Sequence, residues 1–204
     1  MPEAGRVVAG SARGIRLEGA PEGTRPLTDR VKEALFAALE AAGALRGPFL
    51  DLFAGSGTAG IEALSRGAPA ATFVEREGKA CHVIGENLRR AHVESNGHVV
   101  RADVVSFLQG GTPQTRTPFA AAIVDPPYGD EILERTLGLL GDAELNWLAP
   151  EAIVVAKHFW RDDPPEQTGT LQRMRQRRFG ETTLSFYTRA SDGRTTAVRR
   201  EPAA

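Results

Sequence analysis

Four short apolar runs in this chain each carry or lead to an acidic residue, and helix-length segments lie between them. Residues 49–52 (Phe-Leu-Asp-Leu) carry Asp51, and residues 71–74 (Ala-Thr-Phe-Val) lead to Glu75. Residues 98–100 (His-Val-Val) lead to Asp103, and residues 120–124 (Ala-Ala-Ala-Ile-Val) lead to Asp125. Residues 152–156 form a fifth apolar run. Strands this apolar are buried on both faces, and their alternation with helical stretches at 57–66, 81–91 and 132–140 predicts a parallel sheet covered on both sides. The expected fold is α/β and Rossmann-like. Ligands of such sheets bind beyond the carboxyl ends of the strands, where all four acids fall.

The remaining elements extend this frame. Residues 6–10 and 14–17 read as a small N-terminal hairpin around a Gly-containing turn. Thr28-Asp29 opens a helix whose apolar positions, Val31, Leu35, Phe36 and Leu39, share one face. Near the end, a basic strand at 172–178 and an alternating strand at 183–187 flank the turn Phe179-Gly180-Glu181, giving an antiparallel hairpin at the edge of a mostly parallel, seven-stranded sheet. The expected organisation is a hairpin extension over 1–24, a main domain over 25–189, and a polar, Arg-rich, disordered tail over 190–204.

A chain of 204 residues suffices for one well-buried core. No apolar stretch is long enough to span a membrane, and the first residues lack the apolar centre of a signal peptide, so a cytoplasmic monomer is expected. The lone Cys81 gives no disulfide framework or metal cluster and reads as helix core. The four histidines, His82, His92, His98 and His158, show no metal-ligand spacing, and surface placement is expected for His158. Trp147 and Trp160 read as packing residues. Lys and Arg number six against four acids in residues 1–32, nine against sixteen in 33–156, and ten against six in 157–204. Basic ends therefore flank an acidic centre. Solvated surface charge explains this as well as contact with a polyanion does.

The first acidic run opens into Asp51-Leu52-Phe53-Ala54-Gly55-Ser56-Gly57, and Gly55, Gly57 and Gly60 match G-x-G-x-x-G, with Glu75 twenty residues after Gly55. Glycines there allow close backbone approach to a ligand, and the acid suits a ribose diol, so a dinucleotide and S-adenosyl-L-methionine (SAM) both fit. The ladder of acids favours SAM. Asp51 suits a water-mediated contact to the charged methionine end, Glu75 the ribose, and Asp103 the adenine amino group. Asp125 stands at the reaction centre.

Asp125 begins Asp125-Pro126-Pro127-Tyr128. An exocyclic base amine is a poor nucleophile, because its lone pair is delocalised into the ring. A carboxylate and the carbonyl of Pro126 can each accept one of its N–H bonds and polarise the nitrogen. Pro126 and Pro127 freeze the turn, and Tyr128 offers a stacking face to a base drawn out of its helix. The acids, glycines and this motif together describe methyl transfer from SAM to such an amine. No general base is needed, since orientation and polarisation suffice. The absence of a cysteine pair argues against chemistry at pyrimidine carbon 5.

From residue 6 to 189 the chain resembles the bacterial 16S rRNA guanine-N2-methyltransferases of the small-subunit methyltransferase D type. The segments that carry the resemblance are the hairpin with Arg13-Gly14 and Leu17, the run from Arg25-Pro26-Leu27-Thr28-Asp29-Arg30 to Phe36, the turn at 51–57 with its continuation to Ala68, the Asp-Pro-Pro-Tyr motif, and residues 178–187. Ile15, where many relatives have a basic residue, and the extra tail beyond Arg189 depart from the pattern. The resemblance implies a class I SAM-dependent methyltransferase fold and methylation of N2 of one guanine in 16S rRNA, within an assembled or assembling small ribosomal subunit. Thr28 and Phe53 complete the expected cofactor contacts. Arg6, Arg13, Arg16, Arg30 and Lys32 are expected on rRNA phosphates, with the hairpin separable from cofactor binding. Three other readings stay open: adenine-N6 or cytosine-N4 methylation, which usually needs a target-recognition domain absent here; an NAD-dependent oxidoreductase; and a nucleic-acid-binding module without catalysis.

Overall fold

The computed structural model describes residues 3–20, 27–111, 117–127 and 130–189. Its elements run β1 (Glu3–Arg6), β2 (Arg16–Glu18), α1 (Asp29–Ala41), β3 (Phe49–Leu52), α2 (Thr58–Ser65), β4 (Ala71–Glu75), α3 (Gly78–Arg90), β5 (Gly97–Arg101), α4 (Val104–Gln109), β6 (Phe119–Val124), α5 (Asp130–Gly141), β7 (Leu148–Phe159), β8 (Gln167–Thr168), β9 (Leu171–Phe179) and β10 (Thr182–Arg189). One sheet has the order β5-β4-β3-β6-β7-β10-β9-β8. β5 to β7 are mutually parallel, and β10, β9 and β8 continue the sheet antiparallel. The seven expected strands are all present. The eighth, β8, is a two-residue edge piece with no apolar signature.

Alternate strand residues fill two cores. Phe49, Phe73, Val155, Leu184 and Phe186 meet Leu35 and Phe36 of α1 and Ile84 of α3 on one face. Leu50, Leu52, Val154 and Tyr187 meet Leu137 of α5 and Trp147 on the other. The helix α4 escapes the periodicity reading because it is six residues long and depends on a cap at Asp103. From β3 the chain first builds outward through β4 and β5, then returns to place β6 on the opposite side of β3. That reversal between β3 and β6 opens the crevice where such sheets take ligands.

The N-terminal hairpin pairs Glu3 with Glu18 and Arg6 with Arg16, so its strands lie at the outer ends of the expected 6–10 and 14–17 segments. It is not separable. Ala4, Val7, Ala12 and Leu17 are buried in the same core as α1 and α2. The fully buried Glu62 accepts the backbone N–H groups of Val8 and Ala9 at 2.7 and 3.0 Å. Asn87 exchanges hydrogen bonds with the backbone of Glu18, and its amide also donates to the Ser56 carbonyl in the glycine turn. At Gly10, φ is +85° and a Cβ would lie 1.8 Å from the Ser65 carbonyl oxygen, so only glycine allows this close approach. The proposed tail at 190–204 lies outside the described residues.

Candidate functional site

Strand register builds the site. Leu52 pairs with Val74 and with Val124, and Val124 pairs with Ala156. The next residues, Glu75, Asp125 and Lys157, therefore emerge together at the carboxyl rim, with Asp51 one step below. Asp51 is 3 % exposed and its Oδ2 accepts the Gly60 N–H at 2.8 Å, tying strand β3 to the first turn of α2. Glu75 accepts the Gly55 N–H on Oε2 and the Glu77 N–H on Oε1, both at 2.9 Å. Left-handed backbone at Phe53, Gly55 and Gly57 (φ 61°, 55° and 78°) shapes the turn between them. Gly60 serves packing instead: a Cβ there would stand 2.2 Å from the Phe73 ring.

Both Asp125 carboxylate oxygens accept from the Lys157 ammonium, at 2.6 and 2.9 Å. Burial raises the Asp125 carboxyl above the usual carboxylate range, and the charge and hydrogen bonds of Lys157 draw it back. Asp51 is pushed up to about 8, first by burial and then by repulsion from Asp125 and Glu75, with the Gly60 hydrogen bond opposing. Three acidic side chains thus converge on one crevice, and among the described residues the Lys157 ammonium faces them. The arrangement favours a ligand that brings positive charge.

Lys157 is a residue of the candidate site that sequence reasoning missed. Nothing in its local sequence marks it; only the pairing of β6 with β7 sets it beside Asp125. Asp103 sits one strand further along, after β5, and caps α4 by accepting the Ser106 N–H at 2.9 Å and its hydroxyl at 3.1 Å. The Ser106 N–H also holds its carboxyl below the usual range. Pro126 and Pro127 follow Asp125 on the rim, whereas Tyr128 lies outside the described residues. Thr28 caps α1, its hydroxyl accepting from Val31 at 3.4 Å.

The basic residues separate into groups. Lys32, expected on rRNA phosphates, is fully buried: its ammonium donates to the Arg6 carbonyl and lies 3.5 Å from Asp29. An ammonium so enclosed cannot reach a phosphate, and Lys32 instead clamps the hairpin to α1. Arg6 pairs with Asp29 at 3.1 Å while its side chain stays 64 % exposed. Arg13, Arg16 and Arg30 are exposed, and Arg30 stands over the Phe179 ring.

Three packing expectations also change. Cys81 is half-buried, its thiol donating to the Glu75 carbonyl at 3.3 Å, because the start of α3 lies over the end of β4. His158 is buried, with Nε2 2.7 Å from the Ser185 hydroxyl across the β7–β10 pair. Trp147 does pack, donating to the Leu108 carbonyl, but Trp160 is exposed beyond the end of β7. Among the described residues, no group of three His, Cys, Asp or Glu side chains could hold a metal ion.

The family model described as "Conserved hypothetical protein 95" matches residues 5–188. The chain is 35% identical over 189 residues to the "Putative rRNA methyltransferase YlbH" of Bacillus subtilis (strain 168), covering 89% of this chain and 97% of that protein. It is 35% identical over 194 residues to the "Ribosomal RNA small subunit methyltransferase D" of Escherichia coli (strain K12), covering 94% and 93%. Among solved structures, the "Putative methyltransferase yhhF" from Escherichia coli superposes with a TM-score of 0.77 at 36% identity, over 90% of this chain and 97% of that one.

Proposed function

The chain belongs to the Conserved hypothetical protein 95 family, that of the small-subunit rRNA methyltransferases D, and we propose that it methylates N2 of a guanine in 16S rRNA. The cofactor is S-adenosyl-L-methionine, and the substrate is the RNA of an assembled or assembling small ribosomal subunit.

One observation carries this reading: the pairing of Asp125 with Lys157 on the rim of a crevice that also holds Asp51 and Glu75. The residues fit the cofactor. Buried, mutually repelling carboxylates suit a cationic methionine end, and the lone pairs that Glu75 leaves free suit a ribose diol. The glycine turn between them lets backbone approach the ligand. When bound, the cofactor supplies an electrophilic sulfonium methyl.

The protein's part is orientation and polarisation. A carboxylate oxygen has two acceptor sites, so Lys157 occupies one on each oxygen of Asp125 and leaves one on each for a base amine. The paired ammonium counters the burial of Asp125, favouring its ionised, acceptor-only form and fixing its direction. Pro126 offers its carbonyl to the second N–H, and Tyr128 stacks on the extruded base. Held by Asp125 and the Pro126 carbonyl, the amine nitrogen would face the methyl that the cofactor would supply, with S-adenosylhomocysteine as the leaving group. The alkylated nitrogen then returns to neutrality by losing a proton to water.

The test uses small subunits from cells lacking this gene, incubated with the purified protein and methyl-labelled SAM, followed by nucleoside mass analysis of the 16S rRNA. N2-methylguanosine is expected. N6-methyladenosine or N4-methylcytidine would reassign the base, and no transfer would overturn the reading.

A further inference from the structure

Beyond the crevice, five arginines that the chemistry does not use gather around the antiparallel part of the sheet, toward its carboxyl-rim end. Arg177 stands 5.0 Å over the Phe179 ring, with Arg30 of α1 at 5.9 Å from the same ring. Arg178 lies 4.0 Å over the Trp160 ring and Arg161 4.9 Å from it. Arg175 lies over Phe186. All five are exposed, and none forms an ion pair with a carboxylate among the described residues. Arg173 on the same strand behaves differently, being neutralised by Asp163 and Glu166. The nearby acids are few: Asp162 accepts the Phe159 N–H, leaving the turn residue Glu181 as the exposed carboxylate of the hairpin.

Register ties this surface to the reaction centre. Lys157 pairs with Leu184, and Leu184 with Arg177, so Arg177 lies in the same cross-strand row as Asp125, three strands away. At the usual strand spacing of about 4.8 Å that is roughly 14 Å. The β9–β10 turn and Trp160 are joined by the bond from the Trp160 N–H to the Glu181 carbonyl, at the end where Asp125 emerges. From Met174 to Phe179, β9 has no strand neighbour on its outer side among the described residues. Arginines guard such an edge against strand addition. Edge protection does not account for an exposed tryptophan with two guanidinium groups against its ring.

We propose that Trp160 with Arg178 and Arg161 on one face of the sheet's end, and Phe179 with Arg177 and Arg30 on the other, form an RNA-docking rim that grips the strand flanking the target base. This rests on the reading that the substrate is RNA, and it adds where the RNA backbone runs. Unneutralised guanidinium groups match phosphates, and a tryptophan face accepts an unpaired base whatever its identity. The surface therefore contributes affinity and direction, with no choice of sequence.

The test is fluorescence anisotropy of the full chain with a short fluorescein-labelled RNA stem-loop across a salt series, without cofactor. Each phosphate contact contributes close to one unit of the log–log salt slope. R177E/R178E is expected to weaken binding by at least tenfold and to flatten the slope by roughly two. W160A is expected to weaken binding about tenfold, with W160F restoring most of it. Unchanged affinity for S-adenosylhomocysteine by calorimetry shows that each variant is folded. Wild-type affinity and slope in R177E/R178E, or no binding of the stem-loop by the wild-type protein at low salt, would overturn the surface. Wild-type RNA affinity combined with lost binding to whole small subunits would also overturn it, reassigning the patch to a ribosomal protein. No step depends on methyl transfer, so failure of the proposed reaction is read separately.

Discussion

The Lys157 ammonium bridges both carboxylate oxygens of Asp125 from the neighbouring parallel strand, at 2.6 and 2.9 Å. Lys157→Met should leave a buried carboxyl without its counter-charge, and its pKa should climb further. Because the amine needs the ionised form, the acid limb of the pH–rate profile should move up by roughly one to three pH units. Lys157→Arg should restore part of it. Asp125→Ala should lose about two to three orders of magnitude in single-turnover rate at every pH, with saturating SAM. A Lys157→Met profile that overlays the wild type would remove Lys157 from the mechanism.

Asp51, raised to about 8, holds its proton to higher pH in the folded protein than in the unfolded chain. A raised carboxyl stabilises the fold below its unfolded pKa, near 4, and that contribution is lost as pH rises through 8. Stability should therefore fall across this window by about 1 kcal/mol per pH unit, and Asp51→Asn should flatten the fall. Binding of cationic SAM should lower the Asp51 pKa and release protons near neutrality. Calorimetry in buffers of different ionisation enthalpy reads this, and neutral S-adenosylhomocysteine should release fewer. Equal proton release by the two ligands would count against a charge-sensing Asp51.

Glu75→Ala removes the acceptor for both the Gly55 and Glu77 N–H groups as well as the expected ribose contacts. Each bond to a charged acceptor is worth about 1.5–3 kcal/mol. SAM affinity should fall by more than tenfold, and the melting temperature should fall with it. A mutant with wild-type affinity for SAM would take Glu75 out of the cofactor site.

Deleting the first eighteen residues strips Glu62, Asn87 and Lys32 of buried hydrogen-bond partners. At about 1–3 kcal/mol for each stranded polar group, the loss is a large share of the 5–15 kcal/mol typical of a domain. The truncated protein should melt far lower and bind SAM weakly, since Asn87 also holds Ser56 in the glycine turn. Intact melting and cofactor binding would restore the view of the hairpin as a separable extension.

The parallel strands, the glycine turn and the acids at the rim were legible because burial on both sheet faces leaves continuous apolar runs, and each run stops where the ligand crevice begins. Lys157 was not, since its role arises from which strands become neighbours. Lys32 was misread for a related reason. A charged residue one turn into an amphipathic helix looks solvated until the hairpin folds over it and supplies a carbonyl. Trp160 failed in the opposite direction. Aromatic residues near strands usually pack, and only the length of β7 carries this one beyond the sheet.

Glu62 and Asn87 accept from residues 54 and 69 positions earlier in the chain. Such long-range contacts form late, because a large loop must close before they contribute. During synthesis, the hairpin leaves the ribosome before α2 and α3 yet meets its partners only after they have emerged. Until then its apolar residues have no site to enter. The hairpin, made before α2 and α3, is thus fixed only after them, and it closes over the fold once the glycine turn held by Asn87 exists.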